Sequence, residues 1–183
     1  SKGFSINGGF PINDRTELFL TTLVNSRKLD RAAFFRLPRD SSRINYLLYP
    51  DGVQPRNKSN TVDVSLIAGV KGKTKNEMYW DISSSYGINS LRSSSTNSYN
   101  ETQTLILGAN AQTSFYNGTD IFKQLTSDIN FSKQFLPTAN QIKTLNLGWG
   151  AEWRMENYQT KPGEEASWKN YDTVNYLRFS VSA

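Results

Sequence analysis

Residues 144–156 constrain this chain more than any other stretch. Leu145, Leu147, Trp149, Ala151, Trp153 and Met155 take every second position, and Thr144, Asn146, Gly148, Gly150, Glu152, Arg154 and Glu156 fill the gaps between them. A β-strand points successive side chains to opposite faces, so this run has one apolar face and one face without large apolar groups. About a dozen alternating residues is long for a strand in a soluble domain, where roughly 5–6 is usual. It suits a tilted strand crossing a bilayer, which needs about 9–11 residues. The fold question is therefore which medium, lipid or protein core, meets the apolar face.

Other runs repeat the pattern. Val62, Val64, Leu66, Ala68 and Val70 oppose Asp63, Ser65, Gly69 and Lys71, with Ile67 as the exception. Met78, Trp80, Ile82, Ser84, Tyr86 and Ile88 oppose Tyr79, Asp81, Ser83, Ser85, Gly87 and Asn89. Leu125, Ile129, Phe131 and Phe135 oppose Gln124, Thr126, Asp128, Asn130 and Ser132, with Ser127 and Lys133 interrupting the apolar side. Leu18, Leu20, Thr22 and Val24 form a weaker example, and Phe4, Ile6, Gly8 and Phe10 open the chain. Short turn sequences at Pro11–Arg15, Lys71–Asn76 and Pro137–Asn140 alternate with long polar stretches at roughly Asp30–Asn60, Asn89–Asp120 and Asn157–Asp172. Strands are expected near 3–12, 16–36, 60–72, 77–92, 121–136, 142–158 and 173–183, with a further short one near Thr102–Leu107 and almost no helix. All six prolines are placed in turns or loops. The expected fold is all-β: antiparallel up-and-down strands of a transmembrane β-barrel, about seven or eight in this chain.

Composition removes several function classes. The 183 residues contain no cysteine and no histidine, so thiol chemistry, disulfides and the commonest general base and metal ligand are absent. No segment reaches about 18 consecutive apolar residues, so no transmembrane helix is expected. The mean hydropathy of −0.57 does not exclude a membrane barrel, because alternating faces cancel in an average. The net charge of +5 is modest and scattered over loops and turns, which argues against a nucleic-acid partner. No phosphate-binding Gly-rich loop and no Gly-x-Ser-x-Gly elbow occurs, so an enzyme is not expected, and no catalytic, cofactor or metal-binding residue is assigned. Ser1-Lys2-Gly3 leads straight into a strand-like run, which points to a mature, truncated or partial chain.

Four strings in order carry a family resemblance. They are Tyr49-Pro50-Asp51-Gly52; Trp80-Asp81-Ile82-Ser83-Ser84-Ser85-Tyr86-Gly87-Ile88-Asn89-Ser90; Ser114-Phe115-Tyr116-Asn117-Gly118; and Gly150-Ala151-Glu152-Trp153-Arg154-Met155-Glu156-Asn157-Tyr158, running on through Pro162-Gly163-Glu164-Glu165-Ala166-Ser167-Trp168. This series, over about residues 3–170, resembles the barrel of TonB-dependent outer-membrane receptors, especially the Bacteroidetes-type branch. The resemblance implies one barrel segment over residues 1–183, a portion of a barrel of about 22 strands. It implies location in the bacterial outer membrane and uptake of a bulky nutrient such as a siderophore, glycan or peptide. The implied partners are outer-membrane lipid, the remainder of the barrel and its plug, and the TonB complex acting on the full-length protein. No plug domain and no TonB-contact segment can be pointed to in the chain. The alternatives are a small passive or structural outer-membrane barrel and a soluble β-barrel or sandwich that binds a ligand around an inward apolar face.

Several side chains have both a functional and a plain reading. Glu152, Arg154 and Glu156, with Asp81 and Asp63, would line a lumen and hold a plug or substrate, or simply satisfy one another as solvated charges. Glu164 and Glu165 near Trp168 form a carboxylate pair, but neighbours in a loop have no fixed separation. Trp80, Trp149, Trp153 and Tyr86 fall on apolar faces and read as an interfacial aromatic girdle sooner than as stacking platforms. Tyr46, Tyr49, Tyr99, Tyr116 and Trp168 lie in loops, where ligand contact is more plausible. The ligand-binding residues themselves are left open. Asn57, Asn100, Asn117 and Asn130 each begin an N-glycosylation pattern, which carries no weight in a bacterial outer-membrane protein.

Overall fold

In the computed structural model, residues 1–39, 44–136 and 144–172 are described. Six strands form one antiparallel sheet in up-and-down order: β1 (Lys2–Asn13), β2 (Thr16–Ala32), β3 (Arg56–Lys73), β4 (Met78–Thr96), β5 (Ser114–Phe135) and β6 (Leu145–Pro162). The all-β, up-and-down expectation holds at that level, with six strands among the described residues. The strand expected near 173–183 and the turn at 137–140 lie outside them. Two short helices, α1 (Glu101–Leu107) and α2 (Glu165–Trp168), sit in the connections.

Three expectations are corrected. The segment Thr102–Leu107 is helical. Asn100 caps it, its side chain accepting from the Gln103 N–H, and Gly108 ends it with a positive φ of 54°. The strands also run further into polar sequence than apolar alternation indicated. β4 continues through Leu91-Arg92-Ser93-Ser94-Ser95-Thr96 and β5 begins at Ser114, because backbone pairing with a neighbour does not require an apolar side chain at alternate positions. Pro11 and Pro162, finally, lie within strands: Pro11 pairs with Glu17 in β1 and Pro162 ends β6. Both strands are edges of the described sheet, where proline is tolerated because alternate N–H groups point away from the neighbouring strand.

The chain divides into two compact units. The first comprises residues 1–26, 62–90 and 121–159. Its hairpins are tight. The β1–β2 turn is Asp14-Arg15, with the Arg15 N–H donating to Asn13 Oδ1 at 2.9 Å. At the β3–β4 turn the Thr74 N–H donates to the Met78 carbonyl at 2.8 Å, and Glu77 takes a φ of 62°. Between adjacent strands the alternate faces differ in cover. In β4, Ile82 and Tyr86 are exposed while Asp81, Ser83 and Ser85 are half-buried. In β3, Leu66 and Ala68 are exposed while Ser65, Ile67 and Gly69 are half-buried. Thr126 on the polar face of β5 is only 6% exposed. In the middle of β3 and β4 the polar face is thus the better covered one, whereas in β5 Asn130 and Ser132 are exposed beside a half-buried Phe131. Gly69 shows how closely that face packs: a Cβ there would stand 2.5 Å from the Phe19 ring and 2.7 Å from Ser83 Cβ.

The second unit comprises residues 27–61, 91–120 and 160–183. It holds all four buried hydrophobic residues found among the described residues: Ile44, Val53, Ala111 and Phe115. The long β2–β3 connection folds on itself through the Arg36–Val53 bridge, and Tyr49-Pro50-Asp51-Gly52 forms a turn in which the Gly52 N–H reaches the Tyr49 carbonyl at 3.3 Å. Gly52 has a φ of 93°, and a Cβ there would meet the Arg36 carbonyl at 2.7 Å, so this turn requires glycine. No described side chain in either unit is less than 2% exposed.

Candidate functional site

Two regions of the molecule gather chemistry. One lies on the polar strand faces of the first unit. There a cleft of about 880 Å³ is lined by Asp14, Arg15, Glu17, Lys71, Lys73 and Asp81, together with Tyr79 and Trp80. Most of these charges have close counterions or donors. Lys71 Nζ is 3.5 Å from Glu17 Oε2 and sits over the Phe19 ring; Lys73 pairs with Glu77; Ser83 Oγ donates to Asp81 Oδ1 at 3.2 Å. Further along the same face Asn89 donates its amide to Asp63, and the Thr21 hydroxyl donates to Asn7 Oδ1 at 3.0 Å. The charges of β6 behave likewise. Arg154 lies 2.8 Å from Glu152 and 3.9 Å from Glu156, all three half-exposed on one face of the strand. The structure brings these three together, with Arg154 between two carboxylates. It gives Asp81 and Asp63 separate hydroxyl and amide donors.

On the apolar faces, Trp149 stacks on Phe131 with ring centroids 5.9 Å apart. Leu147 is 46% exposed, Trp149 49% and Trp153 56%, and Tyr86 is exposed too. Trp80 is half-buried against Gly72 and borders the cleft. The hydroxyls that interrupt these faces are satisfied internally. Ser84 bonds Ser127 at 3.0 Å and the Thr126 carbonyl at 3.2 Å, and Thr22 donates to the Ser65 carbonyl at 3.2 Å.

The second region is a bracket of connections in the second unit. Glu164 Oε1 accepts from the Tyr116 N–H at 2.6 Å and from Gln112 Nε2 at 2.9 Å. Glu165 turns the other way and pairs with Lys169. The Glu164–Glu165 carboxylate pair is thus split between two structural duties. Asn100 ties the same bracket together. Besides capping α1, its amide donates to the Ala166 carbonyl at 3.0 Å and the Lys169 carbonyl at 2.8 Å. Asn45 Nδ2 donates to Thr104 Oγ1 at 3.0 Å, and the Tyr171 N–H reaches Thr102 Oγ1 at 3.0 Å. Tyr49 and Tyr99 pack with centroids 6.1 Å apart, and burial raises the pKa of both phenols. Arg92 lies over the Tyr116 ring at 4.3 Å. Tyr46 stays exposed in its turn. Sequence reasoning missed Asn100, Gln112 and Glu164 as the clasps of this bracket. For Asn100 a signal was present, since Asn100 followed three residues later by Gln103 is a helix-capping pattern.

A second cleft, of about 470 Å³, opens in this bracket and is lined by Ser95, Tyr99, Asn117, Trp168 and Asn170 among others. Among the described residues no group of three or more His, Cys, Asp or Glu side chains is placed to hold a metal ion.

No protein-family model, no curated protein and no solved structure matches this chain.

Proposed function

We propose that the chain is part of the barrel wall of a TonB-dependent outer-membrane receptor that imports a bulky nutrient, and that it is not an enzyme. The observation that carries the membrane part of this reading is the inverted cover of the strands. In the middle of the interior strand β4, Ile82 and Tyr86 stand exposed while Asp81, Ser83 and Ser85 on the other face are half-buried, and Leu66 in β3 is exposed likewise. Hydrocarbon is the medium in which that arrangement is stable. Two further observations support it. Tight turns join β1 to β2 and β3 to β4, while long connections join β2 to β3 and β4 to β5, the alternation of periplasmic turns and external loops. Strands of 17–22 residues from β2 to β6 span about 55–75 Å, ample for a tilted crossing that continues beyond the bilayer. Receptor identity itself rests on the four ordered strings and on the long loop bracket available to ligand.

In this reading the paired charges of the polar faces line the lumen, and the cleft at the hairpin turns faces the plug. Lumenal charges held by a counterion or a hydrogen-bond donor leave contacts that can be exchanged as a plug moves.

The test is lipid-resolved quenching. The protein reconstituted in vesicles of brominated phosphatidylcholine should lose much of the fluorescence of Trp149 and Trp153, studied in variants keeping one tryptophan at a time, and little of that of Trp168. Equal quenching of all three, or none, would reject the membrane orientation. Uptake that persists after the proton-motive force is dissipated would reject TonB dependence while leaving a passive barrel in place.

A further inference from the structure

We infer that the smaller cleft in the loop bracket is a binding site for a neutral saccharide. Its lining is chemically selective. Ser95, Ser98, Asn100, Thr102, Asn117, Ser167 and Asn170 supply hydroxyls and amides, and Tyr99, Phe115 and Trp168 supply aromatic surface. The one charged lining side chain, Lys169, is held by Glu165, so the cleft has no spare charge with which to select an anion, a charged peptide end or a chelated metal. A volume of about 470 Å³ lies within the roughly 300–1,000 Å³ of small-ligand sites.

The site is also pre-organised. The Trp168 indole N–H donates to the Gly163 carbonyl at 3.2 Å, which fixes the ring while leaving it 65% exposed. A fixed, open aromatic face is the partner for the apolar C–H face of a pyranose ring. The amide oxygen of Asn117 accepts from Ser95 Oγ at 3.2 Å and that of Asn170 from the Asp172 N–H at 2.9 Å. Both side chains are thereby oriented with their NH₂ groups left to donate to sugar hydroxyls. Asn100 is fully committed to the bracket, so it holds the site's frame instead of binding. Ordering costs at the site are low, which is where affinity for a flexible, well-hydrated glycan is otherwise lost.

This inference deepens the receptor reading by naming its substrate class, and it rests on that reading only for how the sugar would be carried onward. The probes are maltoheptaose, xylohexaose, mannohexaose and laminarihexaose, each titrated against the full-length protein in a non-glycosidic detergent and followed by Trp fluorescence and calorimetry. At least one should bind saturably. Trp168→Ala should then weaken binding at least tenfold, Trp168→Phe should restore part of it, and Asn170→Ala should weaken it severalfold, while Trp149→Phe leaves it unchanged. Retained far-ultraviolet dichroism in each variant separates lost binding from lost folding. No binding by any of the four sugars, or binding indifferent to Trp168→Ala and Asn170→Ala, overturns the inference; so does tight binding of a ferric siderophore or a charged peptide that depends on the same side chains. If Trp149 is quenched by brominated lipid and no sugar binds, the site falls and the membrane reading stands. If a sugar binds through Trp168 and Trp149 is untouched by lipid, the site stands and the membrane reading falls.

Discussion

Leu147 and Asn146 are neighbours in β6 with opposite environments in prospect, which makes them the sharpest pair at the scale of single residues. Leu147→Arg puts a charge on the apolar face near the middle of the alternating run and should cost about 2–4 kcal/mol of stability in a bilayer. Asn146→Lys, on the other face, should be nearly neutral. Reversible urea unfolding of each variant in lipid vesicles measures the difference, and equal losses would mean the faces are assigned wrongly. In the loop bracket, burial is the largest cause raising the pKa of Tyr49 and Tyr99; the Glu101 charge adds to it at Tyr99, with Arg36 opposing. Both phenols therefore ionise later in the folded protein than in the unfolded chain, where ionisation centres near about pH 10. Their contribution to stability is complete below that pH and is lost as pH rises through the raised values. Absorbance at 295 nm should show a late-titrating fraction that shrinks in Tyr49→Phe and again in Tyr99→Phe. Loss of neither fraction would place these rings in water.

At the scale of elements, what the sequence made legible follows from where side chains had to obey a solvent. The alternating cores of β3, β4, β5 and β6 could be read directly, because a face that meets one medium admits few exceptions. The strand extensions through Ser93–Thr96 and Ser114–Thr119 could not, since neither face there contrasts with the other and only ladder pairing decides the backbone. The helix at Glu101–Leu107 was masked by Thr102, Thr104 and Ile106, which imitate a short strand, although Asn100 and Gln103 carried the capping signal. The loop bracket was illegible for a different reason: Asn100 meets Ala166 and Lys169 from more than sixty positions away, and Glu164 meets Gln112 and Tyr116 from about fifty. Since the chain has no cysteine, β6 can be scanned one engineered thiol at a time. In cells or vesicles, a water-soluble maleimide should label cysteine at Asn146, Gly148, Glu152 and Arg154 and spare Leu147, Trp149, Ala151 and Trp153. Uniform labelling from 145 to 156 would show that β6 has no lipid side.

Among the described residues the sheet has two edges, β1 and β6, and every residue of both strands is exposed. In water such edges invite aggregation; in hydrocarbon they are worse, because each unpaired N–H or C=O costs several kcal/mol where no water can reach it. A membrane-embedded sheet of this kind must have both edges paired, either by further strands of the same barrel or by one another. Exposure of all 12 residues of β1 and all 18 of β6 then measures surface waiting to be covered, not surface adapted to solvent. The argument predicts the behaviour of backbone amides. In the full-length protein folded in lipid, the amides of Phe4–Phe10 and Leu147–Met155 should resist exchange with deuterated water for hours, as the interior strands do. Amides that alternate along β1 or β6 between protected and freely exchanging would reveal an edge still open, since every second N–H points away from the sheet in an antiparallel pair. An open edge at that depth is incompatible with a bilayer, so that alternation, found within the apolar run of β6, would remove the membrane reading and the uptake function built on it.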